Sequence, residues 1–403
     1  GNMNTNGWYP TYRAMTLKQA NGSWLQNGLK PNTAYVGDLI STALTWEKVR
    51  TWNIGLDWGL FNNRLTGSFD AYIRYTDNMV GPSVELPATL GIATPKTNNC
   101  DLKTKGWELT IGWQDRTNFG MGYGIKFNVS DARTYIDRYP GNPTNSINTY
   151  IAGREIGEIW GFETVGIAKT DDEMQAHLNK VGGQSAIGSG VWTAGDIMYA
   201  DQDGKPGITK GAQTLEDHGD LKVIGNNTPR YHFGLDLNAN YKGFDVRLFF
   251  QGVMKRDYWQ GSNIFWGVGQ WGMWWSTGLK EHEDYFRDEP VGLAGHEIAA
   301  NVNSYYARPR FDSTQNQETQ TRYLQDASYI RLKNLQIGYT LPKQWINKLH
   351  INRCRVYVSG DNLWTGTSLA SMFDPETLAA GDWGSGKTYP LSKVISFGLN
   401  VNF

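Results

Sequence analysis

The chain has 403 residues, with 38 Lys and Arg against 39 Asp and Glu, so it carries no basic footprint for nucleic acid and no polybasic membrane anchor. Aromatic residues make up 13%, including 17 Trp and 21 Tyr beside 47 Gly, a mix suited to strands, tight turns and amphipathic interfaces. Two cysteines, Cys100 and Cys354, cannot build a disulfide framework, and no run of roughly 18 apolar residues offers a transmembrane helix; a mean hydropathy of -0.51 does not argue against a barrel, where apolar and polar residues alternate.

The start, Gly1-Asn2-Met3-Asn4, lacks the charged and apolar stretches of a signal peptide, so the sequence reads as internal to a longer protein. Residues 1–45 are irregular and rich in Gly and Asn, and read as a loop. A strand is expected from Trp46 to Leu60: Trp52, Ile54, Leu56, Trp58 and Leu60 share one parity, and Asn53, Gly55, Asp57 and Gly59 hold the other. Asn62-Asn63-Arg64 turns the chain into a second strand, in which Leu65, Gly67, Phe69, Ala71, Ile73 and Tyr75 alternate with Thr66, Ser68, Asp70, Tyr72, Arg74 and Thr76. The hairpin recurs at Thr104 to Trp113 and Phe119 to Ser130, with a turn at Asp115-Arg116-Thr117-Asn118. It recurs again at Tyr231 to Asn240 and Phe244 to Val253, around Lys242-Gly243. Three further strands are expected at Tyr329 to Leu341, Arg353 to Trp364 and Val394 to Phe403. In the first, the phase shifts near Lys333-Asn334, which a bulge explains. Cys354 falls on the apolar parity of its strand.

These runs reach about ten residues, the length a tilted strand needs to cross a bilayer. Short turns alternate with long connections at 77–103, 131–228, 254–327 and 366–392. A soluble sandwich has no reason to sort its connections in this way, whereas an outer-membrane barrel keeps its short turns periplasmic and its long loops outside. Trp58, Trp113, Phe119, Tyr241 and Phe244 flank the short turns, where an aromatic girdle would meet headgroups. Inside the longest loop, Thr170-Asp171-Asp172-Glu173 forms a capping box and Gly182-Gly183 a stop, which predicts one helix.

Several motifs are decoys. Gly381-Asp382-Trp383-Gly384-Ser385-Gly386-Lys387-Thr388 satisfies the P-loop expression, but no apolar strand precedes it and Pro390 falls in the first turns of the required helix. Gly267-Val268-Gly269-Gln270-Trp271-Gly272 spells a dinucleotide fingerprint without a βαβ unit around it. Asp201-Gln202-Asp203-Gly204 begins like a calcium loop, yet Lys205 replaces the third ligand and Ala212 stands where a bidentate Glu belongs, so a metal-free turn is favoured. Glu281-His282-Glu283-Asp284 reads as a solvated loop. Trp259, Trp266, Trp271, Trp274 and Trp275 crowd into one loop as candidate contacts for sugar rings, peptide side chains or another protein, weighed against packing within the loop. No catalytic, cofactor or metal residue is assigned.

Lys103-Thr104-Lys105-Gly106-Trp107-Glu108-Leu109, Gly195-Asp196-Ile197 before Asp201, Ile224-Gly225-Asn226-Asn227-Thr228-Pro229-Arg230-Tyr231 and Tyr241-Lys242-Gly243-Phe244-Asp245 occur in that order. Ser328-Tyr329-Ile330-Arg331-Leu332-Lys333-Asn334, Gly338-Tyr339-Thr340-Leu341-Pro342, Asp361-Asn362-Leu363-Trp364, Phe373-Asp374-Pro375-Glu376 and the terminal Phe403 follow. Together they resemble the landmarks of SusC/RagA-type TonB-linked outer-membrane transporters, over nearly the whole chain. The resemblance implies a plugged barrel in the outer membrane of Bacteroidota-like bacteria, capped by a SusD-like surface lipoprotein and energised through TonB. No plug, TonB-contacting segment or first half of the barrel is found in this chain.

The expectation is therefore an all-β, antiparallel transmembrane β-barrel segment of about nine strands, the C-terminal part of a barrel of about 22, with long extracellular loops. Residues 1–45 would be extracellular, and residues 46–403 would supply the barrel strands and their loops. The expected role is TonB-dependent import of large nutrients across the outer membrane, with glycan oligosaccharides ahead of peptides and with outer-membrane lipid, the missing strands and the plug as partners. A soluble carbohydrate-binding β module is the alternative, and a barrel hydrolase a third reading.

Overall fold

The computed structural model describes residues 15–18, 25–37, 39–41, 44–83, 87, 89, 94–188, 190–267, 278–310, 313–347, 350–378 and 388–403. An antiparallel pair, β1 (Met15–Lys18) and β2 (Thr33–Val36), lies in the segment read as irregular loop. Four long strands follow: β3 (Lys48–Leu60), β4 (Leu65–Pro82), β5 (Lys96–Arg116) and β6 (Gly122–Arg138). Next come the short β7 (Glu158–Gly161) and β8 (Thr164–Ile167), helix α1 (Asp171–Val181), β9 (Ile197–Tyr199) and β10 (Lys222–Asn226). The rest comprises β11 (Arg230–Tyr241), β12 (Phe244–Lys255), β13 (Asp257–Tyr258), α2 (Asn263–Trp266), β14 (Gln325–Asp326), β15 (Tyr329–Thr340), α3 (Lys343–Ile346), β16 (Arg353–Thr367) and β17 (Val394–Asn402).

Nine strands form one sheet in the order β17-β16-β15-β12-β11-β6-β5-β4-β3, a meander in which every strand pairs with its neighbours along the chain. The strands from β6 to β17 pair antiparallel throughout. A single meander of this length is a barrel wall, and it excludes the two-sheet sandwich of the alternative reading. The expected bulge is present: the register of β15 shifts between Leu332 and Asn334 against β16, and between the opposing Phe249 and Phe250 of β12.

The strands outrun the expected loop boundaries. β4 continues to Pro82 and β5 begins at Lys96, so the connection read as 77–103 shrinks to 83–95. Those read as 131–228, 254–327 and 366–392 become 139–229, 256–328 and 368–393. The apolar alternation does stop near Thr76, but a ladder needs backbone partners and not apolar side chains, so it continues through polar residues once the apolar band has been crossed. The turn expected at Asp115 also moves. β5 runs to Arg116, because Gly120 at φ +93° and the Thr117 N–H to Met121 C=O bond (2.8 Å) place the reversal at 117–121.

The chain divides into two units. The first comprises residues 1–54, 72–106 and 133–156. Its strand ends are tied by Arg138 to Asp101 (2.6 Å), Arg50 to Asp77 (2.8 Å) and the hydroxyls of Thr104 and Thr134 (3.0 Å), around buried Cys100, Ile136 and Ile151.

The second unit comprises residues 55–71, 107–132 and 157–403. At its short turns the expected aromatic flank exists as ring pairs: Phe61 with Trp113 (6.2 Å), Phe119 with Tyr241 (5.6 Å) and Phe244 with Tyr339 (4.5 Å). The polar parity carries ion pairs, Arg247 with Asp236 and Arg355 with Asp245 (2.9 Å). Asp70 lies close above Gly55 on that same face, where a Cβ on Gly55 would come within 2.6 Å of its Oδ1. The apolar parity is bare, with Leu56 64% exposed, as a lipid-facing surface must be. Cys354 shares the parity of exposed Val356 and Val358 but is buried, and α3 packs against its strand.

Candidate functional site

Within the second unit, the described residues of the connections 157–229, 256–328 and 368–378 fold into one compact body with its own core. Phe162, Met174, Ile197, Tyr199, Ile208, Phe265, Tyr323 and Leu378 are all but fully buried, a density of apolar burial that free loops lack. Two long connections are stitched by backbone: Phe162 N–H donates to Thr319 C=O (2.8 Å), and Thr321 N–H to Phe162 C=O (3.0 Å). The third joins through Ala370 N–H to Gln325 Oε1 (3.2 Å), Ser371 Oγ to Glu281 Oε1 (2.6 Å) and the Arg331 to Asp374 pair (2.9 Å).

α1 forms as the sequence dictates. Thr170 accepts from Glu173 N–H (3.1 Å), Glu173 Oε2 accepts from Lys169 N–H (2.7 Å), and Gly182 closes the helix at φ +78°. Its inner face is Met174, His177 and Val181, with Leu178 only half-buried. His177 Nε2 meets Gln184 Oε1 (3.1 Å), which also accepts from Tyr199 N–H (2.7 Å), so the ring nitrogen facing it is the donor. Burial pushes the His177 pKa down and the Tyr199 phenol well up, keeping both neutral. The Tyr199 hydroxyl donates to Gln315 C=O (2.6 Å), and Gln320 Nε2 donates to Asn316 C=O (2.9 Å).

An aromatic cluster lies at the centre. Phe265 and Trp266 meet edge to face (5.0 Å), Trp266 stands over Tyr323 (4.9 Å), Phe265 over Tyr306 (5.4 Å), and Tyr305 packs on Tyr306 (4.9 Å). Ala307 N–H donates to the Tyr323 hydroxyl (2.7 Å), and burial pushes that phenol up to about 12; burial raises Tyr306 further still. Beside the cluster, Trp266, His282, Tyr306, Arg308 and Asn316 line a cavity of about 120 Å³, room for one ring or side chain of a larger ligand.

The cavity's charges are compensated. Arg310 donates to Asp196 Oδ1 (2.7 Å), Asp196 being fully buried, and Arg308 donates to Asp288 (2.6 Å), whose carboxyl Arg308 holds below its ordinary range. His282 accepts Leu279 N–H at Nδ1 (2.9 Å) and donates from Nε2 to Phe265 C=O (3.1 Å). The segment read as a solvated loop does keep Glu281, Glu283 and Asp284 exposed, and within it a short 3-10 turn, Lys280–Glu283, is pinned to the aromatic cluster by His282, which bridges two backbones at once.

The structure divides the predicted tryptophans. Trp259 and Trp266 are half-buried and neighbours (6.2 Å), with Trp266 packed into the cluster, so part of its role is structural. Trp271, Trp274 and Trp275 lie outside the described residues, as do Val268–Gly272 of the dinucleotide look-alike and Gly381–Lys387 of the P-loop look-alike. Sequence reasoning missed Tyr305, Tyr306 and Tyr323, whose only signal is an aromatic pair in a loop without period.

It also missed Asp220, which the loop between β9 and β10 brings to Asp201 and Asp203, with one oxygen of each within 4.8 Å of the others. Those are residues that could hold a hard cation. Each already accepts from the chain: Asp201 from Gly204 N–H (2.7 Å), Asp203 from Lys205 N–H (2.9 Å), and Asp220 from Gln202 and Thr209 N–H.

Residues 5–253 match the family model for the TonB dependent receptor-like β-barrel. TonB-dependent receptor P3 of Formosa agariphila is 28% identical over 396 residues, covering 92% of this chain and 36% of that protein. TonB-dependent receptor SusC of Bacteroides thetaiotaomicron is 23% identical over 372 residues, covering 89% of this chain and 32% of that protein. The chain thus spans about a third of the length of these relatives. The solved RagAB peptide transporter superposes with a TM-score of 0.65 at 21% identity, covering 97% of this chain and 38% of that one, a likeness of fold.

Proposed function

The chain belongs to the TonB-dependent receptor-like β-barrel family of the bacterial outer membrane and is of its SusC/RagA type, and from this premise we propose that it forms the wall and extracellular loops of an importer for large nutrients, oligosaccharides ahead of peptides. The observation that carries the reading is the sorting of connections. Three tight turns, 61–64, 117–121 and 242–243, join strands at one end of the meander together with 341–352, and the three longest connections, 139–229, 256–328 and 368–393, lie at the other end together with 83–95, which is about as long as 341–352. Barrels keep the short set periplasmic and the long set outside.

On this reading the compact body meets cargo on the outside, with Trp259, Trp266, Trp271, Trp274 and Trp275 as candidate contacts and a SusD-like surface lipoprotein as the lid. TonB would act through a plug. β3 and β17 end the sheet, and an open strand edge in hydrocarbon costs several kcal/mol per unpaired group, so the remaining strands, to a total of about 22, are assigned to other parts of the transporter. Support for oligosaccharides comes from the cavity: aromatic faces with every cation already paired favour an uncharged ring over an anionic ligand. We assign the chain no catalytic step.

The test is growth of a strain lacking the gene on single oligosaccharides and on peptides as sole nutrients. Selective loss on an oligosaccharide supports the reading. Loss on peptides alone would reassign the cargo, and unchanged growth on every nutrient would refute import.

A further inference from the structure

In the first unit, the face that carries apolar residues changes character within one turn of the pleat. Along β3, Ile54 and Trp52 are 75% and 74% exposed, and the next residues of the same parity are Arg50 and Lys48, both exposed. Along β4, Ile73 is followed at the same parity by Tyr75. The Arg50 guanidinium lies 5.3 Å from the Tyr75 ring centre, and Lys103 Nζ of β5 lies 5.2 Å from the same ring. One step along, Lys105 Nζ and the Arg133 guanidinium each lie 5.8 Å from the Tyr135 ring of β6. The hydroxyls of Thr104 and Thr134 meet on the opposite face, so Lys103, Lys105, Arg133 and Tyr135 share the side that Tyr75 holds.

The row therefore sets four cations on two tyrosines immediately beyond an apolar surface. Arg50 is paired with Asp77 (2.8 Å) and Arg133 with Glu155 (2.9 Å), while Lys103 and Lys105 have no carboxylate partner among the described residues. Tyrosine sits at the headgroup level of a membrane protein, and a lysine stem reaches from there to the interface, where its ammonium seeks an anion. These strand ends lead into the connections 83–95 and 139–229, which are extracellular on the proposed function, and the inference rests on that sidedness.

We propose that Arg50, Lys103, Lys105 and Arg133, ordered by Tyr75 and Tyr135, bind the phosphate groups of a phosphorylated glycolipid of the outer leaflet. Arg50 and Arg133 enter as hydrogen-bond donors already neutralised by carboxylates, and Lys103 and Lys105 bring the uncompensated charge.

The test is native mass spectrometry of the whole transporter in detergent, titrated with diphosphorylated lipid A, with the same lipid dephosphorylated, and with inorganic phosphate as competitor. The wild type should hold the diphosphorylated lipid, and K103Q/K105Q should hold it about fivefold more weakly per lysine removed, the ratio one interfacial cation is worth. K103R/K105R should keep binding, and heat-modifiable migration should report an assembled barrel in each variant. Equal retention by wild type and K103Q/K105Q, or equal retention of the dephosphorylated lipid, would overturn the proposal. Displacement by inorganic phosphate would overturn the lipid assignment in favour of a free anion. The titration reads lipid retention and not uptake, so a failure of the import reading leaves its result standing.

Discussion

Arg310 and Asp196, 114 residues apart in sequence, form a charge pair in which the carboxylate is wholly enclosed and Arg310 also reaches Thr193 Oγ1 (2.8 Å). Removing one partner of such a pair strands a buried charge, at a cost of about 3–5 kcal/mol. Asp196→Ala should loosen the body built from 157–229, 256–328 and 368–378 and leave barrel assembly intact. Limited proteolysis of intact cells would then cut these connections while heat-modifiable migration stays normal. An uncut body in the variant would show that the pair is dispensable.

Leu56 and Asp57 are adjacent residues on opposite faces of β3, and Leu56 is exposed on the apolar one. Leu56→Arg should destabilise the folded barrel by about 2–4 kcal/mol if its level is near mid-membrane, and Asp57→Asn should be close to neutral. Equal penalties in a urea titration of the reconstituted protein would contradict the assignment of faces.

Trp266 shares its role between core and contact surface. Trp266→Ala should cost the loop body about 2 kcal/mol, less than a fully buried Trp, and should weaken cargo capture as well. Tyr323→Phe removes the hydroxyl that accepts from Ala307 N–H and keeps the ring, so it should cost about 1–2 kcal/mol and leave capture unchanged. Hydrogen exchange at 305–325 paired with cargo binding separates the two effects, and a Trp266→Ala protein that binds cargo normally would leave Trp266 as packing alone.

His177 gives the body an acid limit. Its folded pKa lies below the ordinary 6.5 because burial disfavours the imidazolium, so the unfolded state takes up the proton first as pH falls. The stability it permits is whole above about 6.5 and is lost progressively as pH drops from there toward the lower folded value. Exchange protection of α1 should decline over that window in the wild type and stay flat in His177→Gln. A parallel decline in both would place the acid sensitivity elsewhere.

The nine wall strands were legible because a period of two sustained over about ten residues has few other physical causes, and the Leu332 to Asn334 shift was legible as a break in that phase. Strand ends were not, because beyond Thr76 and before Thr104 the ladder is held by polar contacts such as Asn98 Nδ2 to Asn78 C=O (2.7 Å). The α1 caps are local and could be read. The loop body could not, since the partners of Asp196, Tyr199 and Phe162 lie more than a hundred residues downstream in segments without period. Gly195-Asp196-Ile197 stood out as a landmark, but nothing local pointed to Arg310. Five tryptophans in one loop suggested a surface, and only packing could show that Trp266 also serves a core.

The central claim is sidedness, with the long connections outside the cell and the short turns in the periplasm. It is tested most directly by single cysteines placed at Leu293, 80% exposed in the 256–328 connection, and at Asn62 in the turn after β3, against a background in which Cys100 and Cys354 are buried. A membrane-impermeant maleimide should label Leu293→Cys in intact cells and Asn62→Cys only after the outer membrane is permeabilised. Labelling of Asn62→Cys in intact cells with Leu293→Cys protected would contradict the account.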